Sequence, residues 1–165
     1  VTGVQTCALP IFTTTGSGAL GVGVTTSGIA ALYLGDVTTT DGDGVVVNAG
    51  EAYVSLTGQI STGGFRGDGL SINAGSSEVN LTGAISASGY DANGLHITGG
   101  STHVFGGGDV STTGDSGGAV YVNVTGDVDM TLGAVSATGA TNSYGSAYGV
   151  FVNRSEEHTS ELQSH

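Results

Sequence analysis

The chain has no tryptophan and no lysine, and only one cysteine, one proline and one methionine in 165 residues. A single cysteine, Cys7, excludes a disulfide scaffold and a cysteine-ligated zinc site. Fourteen acidic residues against two arginines give a net charge of −12, which argues against nucleic acid as a partner. No apolar run approaches the ~18 residues of a membrane-spanning helix. Glycine is abundant at 32 residues. Disordered Gly-rich chains lack regularly spaced β-branched residues, however, and here such residues alternate with polar ones.

The two ends differ from the rest. Codons for the tail, Arg154–His165, can be chosen so that their reverse complement encodes Val1–Ile11. Such an inverted repeat resembles a sequencing-library adapter read through on both sides of an insert. Residues 1–11 and 154–165 are therefore expected to be adapter-derived and are set aside from fold reasoning. Cys7, Pro10, Arg154, His158 and His165 go with them. The remaining 12–153 carries eleven carboxylates against Arg66. It is expected to be a fragment, so a missing signal peptide or anchor is uninformative.

What is present is a repeat. Blocks begin at Val22, Val45, Leu70, Leu95, Val120 and Val150, in steps of 23, 25, 25, 25 and 30 residues. A unit of this kind cannot close a core alone and must stack on its neighbours. In the block Leu70–Gly94, Leu70/Ile72, Val79/Leu81 and Ile85/Ala87 each alternate with a polar residue. That spacing describes three short strands per coil. The expected fold is all-β: a parallel β-helix solenoid of about five coils, with about 25 residues per coil. Its columns are Val22-Val45-Leu70-Leu95-Val120-Val150, Leu32-Val54-Val79-Val104-Met130 and Val37-Ile60-Ile85-Val110-Val135. Gly106 breaks the Leu34-Leu56-Leu81 column and predicts a thin spot in the core, or a neighbouring side chain that fills the gap. Thr25, Asn48, Asn73, Thr98, Asn123 and Asn153 follow the first strand and predict an internal asparagine ladder. Asn80-Leu-Thr82 and Asn123-Val-Thr125 also fit the glycosylation acceptor pattern, but the ladder is the preferred reading.

With its columns laid out, the chain resembles the passenger region of bacterial autotransporters of the right-handed parallel β-helix type. The resemblance lies in blocks such as GDGVVVNAGEAYVSLTGQISTGG (Gly42–Gly64) and DGLSINAGSSEVNLTGAISASG (Asp68–Gly89), and it covers nearly all of 12–153. It implies a secreted or outer-membrane-anchored stalk on the bacterial surface, often adhesive, exported through a C-terminal barrel in the full-length protein. Expected partners are a host surface, a glycan or a neighbouring bacterial surface protein. No membrane contact is expected of the fragment itself.

Candidate chemistry is sparse. Stacked turns put Asp41, Arg66 and Asp91 in one column and Asp43, Asp68 and Asn93 in another, so Arg66 is expected between two carboxylates. Calcium binding is a minor reading, because no EF-hand or nonapeptide calcium pattern recurs. Arg66-Gly67-Asp68 spells an integrin-ligand tripeptide, best explained by chance. Glycosidases need two acids several ångströms apart. Glu51, Glu78, Asp127, Asp129, Asp36 and Asp109 are the available acids, without a Lys or Arg to stabilise a developing oxyanion. His96 and His103 are expected to point outward as solvated surface. Tyr144 and Tyr148, in the longer last block, mark a loop where binding would be placed, but an ordinary insertion with Tyr packing on the next coil is the preferred reading. The expectation is a structural or adhesive module, not an enzyme, with no catalytic, cofactor-binding or metal residues and no cofactor. The alternatives are a β-helix carbohydrate-active enzyme or a calcium-dependent surface repeat.

Overall fold

A computed structural model describes residues 11–139 and 147–155. Among these there is no helix. The strands are β1 (Phe12–Thr14), β2 (Val22–Thr25), β3 (Ile29–Leu34), β4 (Val37–Thr39), β5 (Val45–Leu56), β6 (Gln59–Thr62) and β7 (Leu70–Leu81). They continue as β8 (Ala84–Ala87), β9 (Leu95–Phe105), β10 (Val110–Thr112), β11 (Gly118–Val124), β12 (Val128–Met130), β13 (Val135–Ala137) and β14 (Tyr148–Arg154). One sheet runs β1-β4-β6-β8-β10-β13. The other runs β14-β11-β9-β7-β5-β2, with β3 on β5 and β12 on β9. Every strand pairing among the described residues is parallel. The chain is a β-solenoid of about five turns, as the repeat predicts.

The columns stack in the expected register. Val22, Val45, Leu70, Leu95, Val120 and Val150 pair in succession, as do Phe12, Val37, Ile60, Ile85, Val110 and Val135. Within the stack Val45, Leu56, Ile60, Leu70, Val79, Leu81 and Leu95 are fully buried. Each such side chain contributes about 1.5–3 kcal/mol.

Three strand segments per coil persist, but in the central coils the first two join into one long bent strand. In β7 the inward residues are Leu70, Ile72 and Ala74, then Ser77, Val79 and Leu81. Two outward residues in succession, Gly75 and Ser76, reset the alternation. Gly50, Gly75 and Gly100 share this corner. A Cβ on Gly75 would lie 2.8 Å from the Gly50 carbonyl oxygen, and one on Gly100 would collide with the Gly75 carbonyl. The main chains of successive coils therefore approach this closely at the corner only because these positions lack a side chain.

The asparagine ladder is a correction. Its register is present, from Thr25 through Asn48, Asn73, Thr98 and Asn123 to Asn153, but the column lies on the outer surface. Asn48 follows inward Val47 and so points out. Among the described residues one amide-to-amide rung forms, Asn153 Nδ2 donating to Asn123 Oδ1 at 3.1 Å. The internal polar rung lies elsewhere: buried Ser77 Oγ donates to Thr102 Oγ1 at 2.8 Å, between Ala52 and Val128 of the same column.

The thin spot at Gly106 is filled by main chain. Gly106 and Gly107 take φ of 105° and 74°, swinging outward. Gly108 then drops onto Leu81, its N–H donating to the Leu81 carbonyl at 2.7 Å. Of the two presumed adapter ends, 1–10 and 156–165 lie outside the described residues. Phe12 opens β1, while Arg154 is the last residue of β14.

Candidate functional site

The acidic residues before the strands have a common task. Asp43 Oδ1 accepts the N–H of Asp68 at 2.9 Å, and Asp68 Oδ1 accepts the N–H of Asn93 at 2.7 Å. Asn93 Oδ1 in turn accepts the N–H of Gly118 at 3.3 Å. Each side chain thus satisfies a main-chain donor one coil further on. Asp36 does the same for Gln59 at 2.8 Å, and Asp109 for Ala134 at 2.7 Å. The spacing of these acids brought them into columns, but their role as inter-coil acceptors was not read from it. The available signal was an Asp or Asn immediately upstream of a strand in block after block. Burial pushes the Asp43 carboxyl above the usual range, and the hydrogen bond from Asp68 partly offsets this.

Arg66 does not sit between two carboxylates. Its Nε meets Asp91 Oδ2 at 3.1 Å, and its guanidinium lies 5.0 Å from the Phe65 ring centre. No ion pair joins it to Asp41. The turn from Thr39 to Gly42 is two residues shorter than that from Thr62 to Gly67. Arg66 and Asp91 both take the left-handed conformation, at φ 58° and 56°, and Asp41 does not. The Arg66–Asp91 pair is exposed and contributes about 0–1 kcal/mol. Arg66-Gly67-Asp68 presents no free carboxylate. Asp68 is 14 % exposed, with one oxygen held by Asn93 and the other 2.7 Å from His96 Nδ1.

His96 points outward, as alternation predicts, but it is half-buried. Its ring meets the edge of Tyr121 at 5.0 Å, and Tyr121 stacks on Phe151 at 5.2 Å. Tyr148 closes this aromatic group, its Oη donating to Asn93 Oδ1 at 3.0 Å. Burial raises the Tyr148 phenol to about 12. Tyr148 therefore packs against the preceding coils, over Gly118. Tyr144 lies outside the described residues.

The remaining acids are scattered. Glu51 lies at the corner of β5 beside Tyr53, whose phenol it pushes up. Glu78 pairs in register with Tyr53 and His103, two residues along the strand from the Glu51 column. His103 Nε2 is 3.6 Å from Asp129, and Asp127 meets Arg154 at 3.2 Å. Among the described residues no three metal-ligating side chains gather. An open groove of about 760 Å³ follows the corner of the long strands. It is lined by Thr25, Asn48, Asn73, Thr125 and the main chain of Gly50, Gly75 and Gly100, and carries no ionisable side chain.

Compared with known proteins, the chain matches no family model, no curated protein and no solved structure.

Proposed function

We propose that the chain is a structural or adhesive segment of a secreted or cell-surface protein of the autotransporter passenger kind, without catalysis of its own. The observation that carries this reading is the use of the carboxylates. Asp36, Asp43, Asp68 and Asp109 each hold a main-chain N–H of the next coil, a service to the stack that supports a structural reading. A solenoid stabilised coil by coil, without cofactor, makes a rigid spacer whose length grows with repeat number. Its outer surface offers a neutral groove of hydroxyls, amides and main chain, the chemistry that meets a glycan or another protein surface. The export route this reading implies is a C-terminal outer-membrane barrel in the full-length protein.

Two measurements test it. Incubated with acidic and neutral polysaccharides, the chain is expected to release no product. Turnover lost on Glu51→Gln or Asp127→Asn would replace this reading with a carbohydrate-active enzyme. Placed between a signal peptide and an outer-membrane barrel, the chain is expected to reach the cell surface folded and open to external protease. Retention inside the cell removes the export reading.

A further inference from the structure

The groove along the corner of the long strands crosses successive coils from Thr25 to Thr125 and holds about 760 Å³. It lies on the flank of the stack, so coils added at either end would lengthen it and leave its floor unchanged. In a chain of net charge −12 its lining is neutral. At its centre Asn48 is half-buried and Asn73 exposed, and the two pair in register on adjacent coils. Among the described residues neither side-chain amide bonds to another group of the protein. Elsewhere the polar side chains of this wall are engaged. Asn123 is bonded by Asn153, Thr125 Oγ1 donates to the Gly99 carbonyl at 3.3 Å, and Thr26 Oγ1 accepts the Gly28 N–H at 3.2 Å. The two free amides therefore lie at the middle of the groove, about 4.8 Å apart along the axis.

The floor selects among partners. Main chain at the corner is already bonded from coil to coil: the Gly50 N–H donates to the Gly28 carbonyl, and the Gly126 N–H to that of Gly100. A peptide therefore finds no open strand edge to extend. It also finds no pocket for a large side chain, since Ala49 and Ala74 are the largest apolar groups of the lining. A charged ligand finds no counter-ion there. A sugar hydroxyl both donates and accepts, and an Asn amide offers two donors and an acceptor to match it. Glycine at Gly50 and Gly75 lets a ring approach the main chain closely.

We infer that the groove binds a linear neutral glycan lengthwise, Asn48 and Asn73 holding hydroxyls of adjacent sugar units. The inference rests on the adhesive reading above and narrows its partner to one chemical class. Acidic glycans are disfavoured, because exposed Glu51 follows Gly50 beside the groove and the whole chain is anionic. The lining repeats from coil to coil, so each further sugar unit meets another set of similar groups.

Calorimetric titration of the full chain with cellopentaose, maltopentaose and mannopentaose tests the inference. At least one is expected to bind, its disaccharide about tenfold more weakly or worse, while pentagalacturonate and a Gly-Ser decapeptide do not bind. Asn48→Ala and Asn73→Ala are each expected to weaken the bound pentasaccharide about tenfold, the worth of one or two hydrogen bonds. Ser86→Ala, on the other sheet, should leave it unchanged. In the wild type, the side-chain amide NMR signals of Asn48 and Asn73 should shift on binding, a readout that needs no variant to fold. Binding by none of the three pentasaccharides, equal binding of the acidic one or the peptide, or affinity and amide signals indifferent to both Asn residues overturns the inference. The same mixtures are checked for cleavage. Released product would remove the non-catalytic reading, whereas intact glycans without binding remove this inference and leave that reading standing.

Discussion

Asp68 holds Asn93, its counterpart one coil on, by the main-chain N–H at 2.7 Å and by the side-chain amide at 3.1 Å. In a parallel stack the strands pair their own donors and acceptors, but the turns between them leave N–H groups facing the next coil. Asp or Asn at the end of a turn supplies the missing acceptor. Much of the chain's acidity is thus a consequence of how its turns are closed. It also explains how Asp43 and Asp68 can be adjacent. Their repulsion at about 5 Å costs roughly 1 kcal/mol in water, and a charge-assisted hydrogen bond of about 1.5–3 kcal/mol offsets it.

Asp43 separates acceptor from charge. Asp43→Asn keeps an Oδ1 for the Asp68 N–H, as Asn93 does one turn away, and removes a carboxylate whose ionisation burial opposes. Asp43→Ala removes both. At pH 7 the Asn variant is expected to melt at or slightly above the wild-type temperature. The Ala variant is expected to lose about 1–2 kcal/mol, or a few degrees. The folded-state pKa of Asp43 lies above its unfolded value, so the native state holds that proton more tightly. The resulting stability is complete below the unfolded pKa and is lost as pH rises through the folded one. The advantage of Asp43→Asn should therefore shrink as pH falls through the raised folded pKa and be gone below the unfolded value of 3.8, which melting curves at several pH values will show.

The buried Ser77–Thr102 rung predicts non-additive mutations. Ser77→Ala leaves Thr102 Oγ1 in an apolar column without its donor, and is expected to cost about 1–3 kcal/mol. Ser77→Ala with Thr102→Val restores an apolar column like Ala52 and Val128 at its ends, and should recover most of that loss. Denaturant melts of the two single variants and the double variant measure the coupling. Equal, additive losses would mean that the hydrogen bond has no net value.

The columns were legible because register in a stacked repeat is simply sequence offset. Val45, Leu70 and Leu95 lie 25 residues apart and pair directly. The side of the wall on which Asn48 and Asn73 lie was misread, although alternation from inward Val47 already puts Asn48 outside. The bend suggested an interior, whereas the corner is turned by Gly50 and Gly75. The pairing of Arg66 was half legible. Its column is real, but whether Asp41 reaches it depends on a two-residue difference in turn length, which changes the backbone conformation. The His96–Tyr121–Phe151 column follows from the same offset, since each residue comes directly after Leu95, Val120 or Val150, but the ring contacts depend on side-chain rotamers that the offset does not give.

Glycine at the corner is a packing requirement. Gly100→Ala places a methyl group against the Gly75 carbonyl, which is main chain and has little freedom to yield. A loss of about 1–3 kcal/mol is expected. Gly149→Ala is the control, because nothing lies within 4 Å of its Cβ position. That substitution should stay within about 0.5 kcal/mol of wild type. Thermal denaturation of the two variants decides the matter, and equal behaviour would remove the steric account of the corner.

Tyr148 gives the stack an alkaline limit. Its phenol is raised by burial to about 12, against 10.0 for a free tyrosine, and donates to Asn93. Because the folded pKa exceeds the unfolded one, the native state retains this proton where the unfolded chain has released it. The associated stability is intact below pH 10 and disappears as pH rises through 12. Absorbance titration of the tyrosines should show a late phenolate step near pH 12 that is missing in Tyr148→Phe. The wild-type melting temperature should fall more steeply than that of Tyr148→Phe between pH 10 and 12. Below pH 10 the variant, which keeps the ring over Gly118 and loses only the hydroxyl bond, should be weaker by about 0.5–1.5 kcal/mol. A late step that survives in Tyr148→Phe would place the shielded phenol elsewhere and detach Tyr148 from the Asn93 column.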